Sequence, residues 1–304
     1  MHHGVVTMHR DQLTVDLGTV RRLLDAQFPQ LRGASIEAVH TTGTVNAIFR
    51  IGPDLAARFP LTAQDPDDSL SWLTAEADAS RELAAVSTVP TTEPVALGEP
   101  GDGYPMPWSI QTWLPGDDAT VEDPADSVDF AHDVSSFITR LRSVDTRGRR
   151  FEGAGRGGHL PDHDEWLELC FRESEELLDV PRMRSMWADL KRLPEVDGDA
   201  MCHGDLTPPN VLVAEGRLVG VVDGGGFGPA DPALDLVAAW HLMEEAQRDT
   251  LRTTLGCSDV QWLRGTAWAF QQAMGLVWYY VDSNPSMSRW GLRTLDRIVR
   301  AGVV

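Results

Sequence analysis

Apolar positions recur along the chain with two different periods, and the change from one to the other divides it. From Asp16 to Phe28, the residues Val20, Leu23, Leu24 and Phe28 fall on one face at helical spacing, so an amphipathic helix is expected there. The segments 35–40 (SIEAVH), 45–51 (VNAIFRI) and 55–60 (LAARFP) are short apolar or alternating runs, the last two joined by Gly52-Pro53-Asp54. They predict a meander of antiparallel strands. A helix is expected over 69–86 (SLSWLTAEADASRELAAV), and a further strand over 108–114 (WSIQTWL) that stops at Pro115-Gly116.

Beyond Gly116 helical periodicity dominates, over 126–144, 164–179, 231–255, 259–281 and 287–301. Two strands are expected to interrupt it, NVLVAE (210–215) and LVGVVD (218–223), forming a hairpin around Gly216-Arg217. The Gly-rich stretch 153–158 (GAGRGG) reads as a loop, because no strand feeds it as one feeds a phosphate cradle. Trp240, Trp262, Trp268 and Trp278 sit at helical positions and are expected in a core. The order is that of an α+β protein: a small antiparallel-sheet lobe over 1–114, then a larger, mainly helical lobe over 115–304.

Composition narrows the function. A formal charge of −20 argues against a nucleic-acid partner, since phosphate backbones are bound by clustered Lys and Arg. It suits a cationic small molecule, or simply a solubilising surface. No apolar run is long enough to span a membrane and the start, MHHGVVTMHRDQL, has no secretory apolar core, so a cytoplasmic location is expected. Cys170, Cys202 and Cys257 are widely spaced with no metal-ligand pattern, and are expected as reduced thiols. Lys191 is the only lysine.

The candidate chemistry lies in CHGDLTPPNVLV (202–213) and LVGVVDGGG (218–226). Asp205 and Asn210 have the spacing of a kinase catalytic loop, in which the Asp takes a substrate hydroxyl proton and the Asn holds magnesium. Asp223 follows at the end of an apolar strand and before glycines, where a carboxylate can reach a metal that bridges nucleotide phosphates. Phosphoryl transfer asks a protein mainly to position an attacking oxygen and to neutralise charge on phosphate oxygens, and two metal ligands with one orienting carboxylate meet that need. Taken singly, each could instead be an Asx turn or cap.

The segments HGDLTPPNVLV and VVDGGGFGPADPALDLVAAW resemble the catalytic segments of the aminoglycoside phosphotransferase family, and TTGTVNAIFRIG, RFP and WSIQTWLPG extend the resemblance over nearly the whole chain. The resemblance implies a two-lobed protein-kinase-like fold, Mg2+ and ATP or GTP as phosphate donor, and a hydroxylated small-molecule acceptor such as an aminoglycoside. It makes Asp205 the catalytic base, Asn210 and Asp223 the magnesium ligands, and His203 a brace for the loop. It places Thr44 to Asn46 in the turn over the phosphates and Gln111, Thr112, Trp113 and Leu114 in the linker whose backbone holds the base. Where the fold expects a strand lysine this chain has Arg58, with Glu76 as its candidate partner. Arginine keeps the charge and can grip phosphate bidentately, but is not equivalent to lysine. Asp223 precedes three glycines where an aromatic residue would be expected, which removes a handle for conformational switching.

Asp231 and Asp235 are expected to be structural, Asp231 as a helix start before Pro232. Thr207, Glu244 and Glu245 are substrate candidates, together with the acidic residues of 162–176, which can equally form a solvated helix face. Within the same chemistry the acceptor could be a macrolide, or a metabolite of the choline, homoserine or fructosamine type. Outside it stand an inactive nucleotide-binding homologue, motivated by Arg58, and a metal-dependent hydrolase using His203, Asp205 and Asp223.

Overall fold

Alternate residues of a strand face opposite sides, and residues 57–59 show what that dictates: Ala57 and Phe59 are fully buried while Arg58 between them turns to the other face. Phe59 is the centre of an aromatic cluster. It stacks on Trp108 at 4.7 Å between centroids and meets Tyr104 and Phe49 edge-on at 5.1 and 5.7 Å. The computed structural model describes residues 13–39, 45–153 and 155–302. The chain divides into two compact units. One runs through Ala85, resumes over Pro90–Pro115 and takes in Asp223–Gly225; the other comprises Val86–Val89, Gly116–Val222 and the chain from Gly226.

In the first unit, α1 (Leu17–Gln27) is capped by Asp16, whose carboxylate accepts the Thr19 amide at 2.7 Å. Its face Val20, Leu23 and Leu24 packs into the aromatic cluster. The strands β1 (Ile36–Val39), β2 (Asn46–Ile51), β3 (Leu55–Pro60), β4 (Pro94–Gly98) and β5 (Trp108–Thr112) form one antiparallel sheet in the order β1-β2-β3-β5-β4. Arg58 lies opposite Ile48 on β2 and Ser109 on β5. Helix α2 (Pro66–Val86) begins earlier than the apolar stripe predicted, because Asp65 accepts the amides of Asp67 and Asp68 and a proline opens the first turn. Strand β4 was not predicted; its five residues lie between prolines and glycines that hide the alternation.

The second unit is built on α8 (Asp259–Tyr279), buried along most of its length from Trp262 to Val277 and started by a Ser258/Gln261 capping box. Packed against it are α4 (Asp164–Glu173), α5 (Val180–Leu190), α6 (Val237–Leu242) and α9 (Pro285–Ala301), while α3 (Val128–Arg142) packs on α7 (Glu245–Leu255). The expected hairpin is present as β8 (Val211–Ala214) and β9 (Arg217–Val221), flanked by β6 (Asp117–Asp118). A second pair, β7 (Ala200–Cys202) with β10 (Gly228–Ala230), was not predicted, being too short to show a period.

The single helix expected over 231–255 is broken. After a 3-10 turn at Leu234–Leu236, α6 ends where Met243 turns extended, and Arg297, 4% exposed, donates to the carbonyls of Trp240 and His241 at 3.2 and 2.9 Å. Those carbonyls lack intrahelical partners at a helix end, so the arginine stabilises the break. The stretch 164–179 likewise stops at Glu173, and α5 starts anew from Asp179, which caps the amide of Arg182 ahead of Pro181. Trp240, Trp262 and Trp268 are buried and Trp278 half-buried, as expected of core residues. The three cysteines are free thiols. No helix among the described residues is long and apolar enough to cross a membrane.

Removing the ring at the centre of the first unit leaves a cavity walled by rigid aromatics. Phe59→Ala should lower the stability of that unit by about 3–5 kcal/mol. Chemical denaturation measures it, and a loss below about 1 kcal/mol, the scale of an ordinary surface change, would contradict the packing described.

Candidate active site

The turn after β7 carries the chemistry in the second unit. Gly204 takes φ +87°, which a glycine adopts without strain, and the amides of His203 and Gly204 both donate to the carboxylate of Asp235 at 2.9 Å. Asp235 is 1% exposed, and burial pushes its carboxyl above the usual range against the opposing pull of His203, the two amides and Arg142. The ring of His203 faces the Val222 carbonyl through Nε2 at 3.1 Å and accepts the Asp205 amide at Nδ1 at 3.3 Å. A carbonyl only accepts, so Nε2 carries a proton and the ring ties the turn to the end of β9. This is the bracing role expected of His203.

Asp205 is then surrounded by donors. Asn210 Nδ2 donates to Oδ2 at 2.8 Å and to the Asp205 carbonyl at 3.0 Å. Arg156 and Gln272 both donate to Oδ1, at 2.8 and 2.7 Å. Neither Arg156 nor Gln272 was singled out from the sequence. Arg156 carried one available signal, a lone cation inside GAGRGG, whereas Gln272 lies in the middle of α8 and carried none.

In the first unit Arg58, 14% exposed, donates to Asp223 Oδ1 at 2.9 Å and lies 3.9 Å from Glu76 Oε2. The expected Arg58–Glu76 pair is therefore present as a loose ion pair, with Asp223 as the closer partner. Burial outweighs the attraction of Arg58 at Glu76, and with the Asp223 charge also opposing ionisation its carboxyl is pushed up to about 7. Asp223 adopts φ +62°, a left-handed conformation that Asp tolerates better than most residues. The glycines after it have a packing reason. A Cβ at Gly225 would lie 2.8 Å from Glu76 Cγ, and one at Gly224 2.5 Å from Leu83, so side chains there would push α2 away.

The other predicted residues are placed as follows. Thr44 falls outside the described residues. Asn46 opens β2 opposite Pro60, and Gln111 lies in β5 opposite Ala56. The Thr112 and Trp113 amides are already bonded, to the carbonyls of Glu93 and Asp54 at 2.9 and 2.7 Å, and Arg50 lies 5.1 Å over the Trp113 ring. Among the described residues no backbone carbonyl takes the Leu114 amide. Thr207, 2% exposed, is buried, and its backbone closes the turn from Asp205 to Asn210. Glu244 is held by Arg297 at 2.6 Å, which keeps its carboxyl below the usual range. Thr207 is thus enclosed by the fold, whereas Glu244 is exposed with its Oε1 taken up by Arg297, and Glu245 is exposed at the start of α7. Asp231 is a buried anchor, accepting from Ala233, Arg264 and Trp268.

Each unit taken by itself carries an oxygen donor of the kind a hard divalent cation accepts. With Nδ2 turned to Asp205, Asn210 has its carbonyl Oδ1 as the remaining ligand atom, and Asp223, 43% exposed, keeps Oδ2 clear of Arg58. Amide and carboxylate oxygens are the ligands magnesium prefers.

The chain belongs to the phosphotransferase enzyme family, whose profile matches residues 38–265. An aminoglycoside 3'-phosphotransferase from Escherichia coli is 26% identical over 145 residues, 45% of this chain and 53% of the relative, so the match spans about half the relative's length. Among solved structures, the GDP complex of aminoglycoside 2'-phosphotransferase-IIIa superposes with a TM-score of 0.67 at 17% identity, covering 95% of this chain and 100% of that one. A macrolide 2'-phosphotransferase from Brachybacterium faecium gives 0.60 at 18% identity, covering 91% and 98%. These superpositions establish the kinase-like fold of such phosphotransferases.

A buried acid whose folded value lies above its ordinary 4.5 keeps its proton longer in the native state. Stability should therefore fall as pH rises from about 4.5 to about 7, by on the order of 3 kcal/mol in all. Glu76→Gln should remove that loss, matching wild type below the window and exceeding it above. Denaturation midpoints across the window that fall equally in both proteins would refute the assignment to Glu76.

Proposed function

We propose that this protein transfers the γ-phosphoryl group of ATP or GTP to a hydroxyl of a small molecule, with an aminoglycoside-like antibiotic as the favoured acceptor class. The observation that carries the reading is Asp205: a carboxylate on a turn fixed by a buried aspartate, with one oxygen held by two donors and the other by one. The acceptor's O–H would donate to Oδ2, which receives the proton as the hydroxyl oxygen attacks phosphorus and the nucleoside diphosphate leaves. Arg58 would turn from Asp223 to the phosphates, where its planar guanidinium can hold two oxygens at once. The amide of Leu114, for which no backbone carbonyl among the described residues is a partner, would offer a donor to the nucleotide base. Magnesium, held by Asn210 and Asp223, would supply the charge neutralisation that phosphate oxygens need.

Family membership, the aminoglycoside phosphotransferase relatives and the net charge of −20 support a cationic acceptor. One observation favours a second reading, a macrolide or a cellular metabolite as acceptor. The Arg156 guanidinium beside Asp205 puts positive charge where the ammonium groups of a polycation would be received.

Purified protein with Mg2+ and nucleotide, offered aminoglycosides, macrolides and metabolite alcohols, should add one phosphate mass to an acceptor. Asp205→Asn should slow that turnover by about 10²–10⁴-fold. Nucleotide hydrolysis that no acceptor accelerates, or full activity in Asp205→Asn, would defeat the proposal.

A further inference from the structure

Asp205 is reached by a line of polar groups drawn from three helices, His241 and Trp290 buried and Gln272 half-buried. Trp290 Nε1, on α9, lies 3.0 Å from His241 Nδ1, on α6. His241 Nε2 lies 3.0 Å from Gln272 Oε1, on α8, and Gln272 Nε2 donates to Asp205 Oδ1 at 2.7 Å. Each link fixes the next. An indole N–H can only donate, so His241 Nδ1 is an acceptor and the ring carries its proton on Nε2. That proton needs an acceptor, which the amide oxygen of Gln272 provides, and the amide NH2 is thereby turned to Asp205. Thr294 Oγ1 lies 2.9 Å from Nδ1 and 3.1 Å from the Trp290 carbonyl, and its hydroxyl can donate to Nδ1 beside the indole, which again makes Nδ1 an acceptor.

His241 is fully buried, and burial, with Arg156, Arg297 and Arg293 adding to it against the Gln272 hydrogen bond, pushes its imidazole down to about 3. The ring is neutral at any pH at which the protein would work, which keeps Nδ1 an acceptor. We infer that Gln272, set by His241 and Trp290, is a positioning residue for Asp205: it pins Oδ1 together with Arg156, so that Oδ2 alone is presented to the acceptor hydroxyl. The inference rests on Asp205 being the base. A carboxylate without this hold can rotate about its Cβ–Cγ bond and present either oxygen, and small misplacements of a reacting group are enough to slow a reaction about 10²-fold.

Two measurements on the full chain test it. With histidine rings labelled by 15N, wild type should show His241 as the Nε2–H tautomer with a slowly exchanging proton, and Gln272→Leu should lose that slow exchange. A proton on Nδ1, or slow exchange retained in Gln272→Leu, overturns the relay whatever the activity. In turnover, Gln272→Leu should lower kcat by about 10–10²-fold with KM for nucleotide and acceptor unchanged. His241→Leu should lower kcat in wild type but add less than about 2-fold to Gln272→Leu, since contacting residues in one network are not additive. Independent, multiplying losses overturn the relay. A loss of thermal stability with kcat intact in Gln272→Leu shows a purely structural role and does the same. If His241→Leu does not fold, the kcat and KM values of Gln272→Leu decide alone. A wild-type protein that phosphorylates no acceptor sinks the base assignment itself, and the positioning role with it.

Discussion

A carboxylate with almost no access to water is stable only where donors replace the water it has lost, and Asp235 meets that condition with two backbone amides. Because those amides belong to His203 and Gly204, the bond determines the path of the turn rather than the position of one side chain. Gly204 must bend through a positive φ, and the His203 ring is left facing the end of β9. Asp205 and Asn210 follow within the next turn of chain, where the Asn210 amide donates to both the carbonyl and the carboxylate of Asp205. The same turn receives Arg156 and Gln272 from distant parts of the sequence. A buried acid at one point thus organises the chemistry-bearing turn of the second unit.

The first unit is arranged differently. Its charged residues form a partly exposed trio in which Arg58 serves two acids at unequal distances, and burial makes one of those acids, Glu76, keep its proton well above the usual carboxylate range. Such a trio is poised: the arginine has more donors than Asp223 uses, and a phosphate could compete for them. The close approach of α2 to the glycines after Asp223 limits how far the trio can spread.

What could be read in the sequence follows from what is local. The amphipathic face of α1, the hairpin of β8 and β9, and the Asp205–Asn210 spacing are each encoded within a few residues, and periodicity or turn chemistry exposes them. The break between α6 and α7 is not local, because it depends on Arg297, more than fifty residues on. The same holds for the environment of Asp205. Arg156 and Gln272 stand 49 and 67 residues away, one in a glycine-rich loop and one in a helix that reads as plain core. Glu244 is exposed, as its acidic surroundings suggest, but the grip of the buried Arg297 on its Oε1 comes from more than fifty residues on and shows in no local pattern. Strands of two or three residues, such as β6, β7 and β10, carry too few positions for any period to show.

The arginine at position 58 has a consequence for chemical modification. An ammonium loses its charge when acylated and can form imines or amides with electrophilic reagents, whereas a guanidinium holds its proton at any pH a protein survives. Lys191, the chain's only lysine, lies in an ion pair with Asp164 in the second unit. Nucleotide analogues that mark kinase-like proteins by acylating a strand amine would find no amine beside Asp223, and acetylation could not silence this position. The protein's cation at that point is fixed by its chemistry, beyond the reach of reagents that act on lysine.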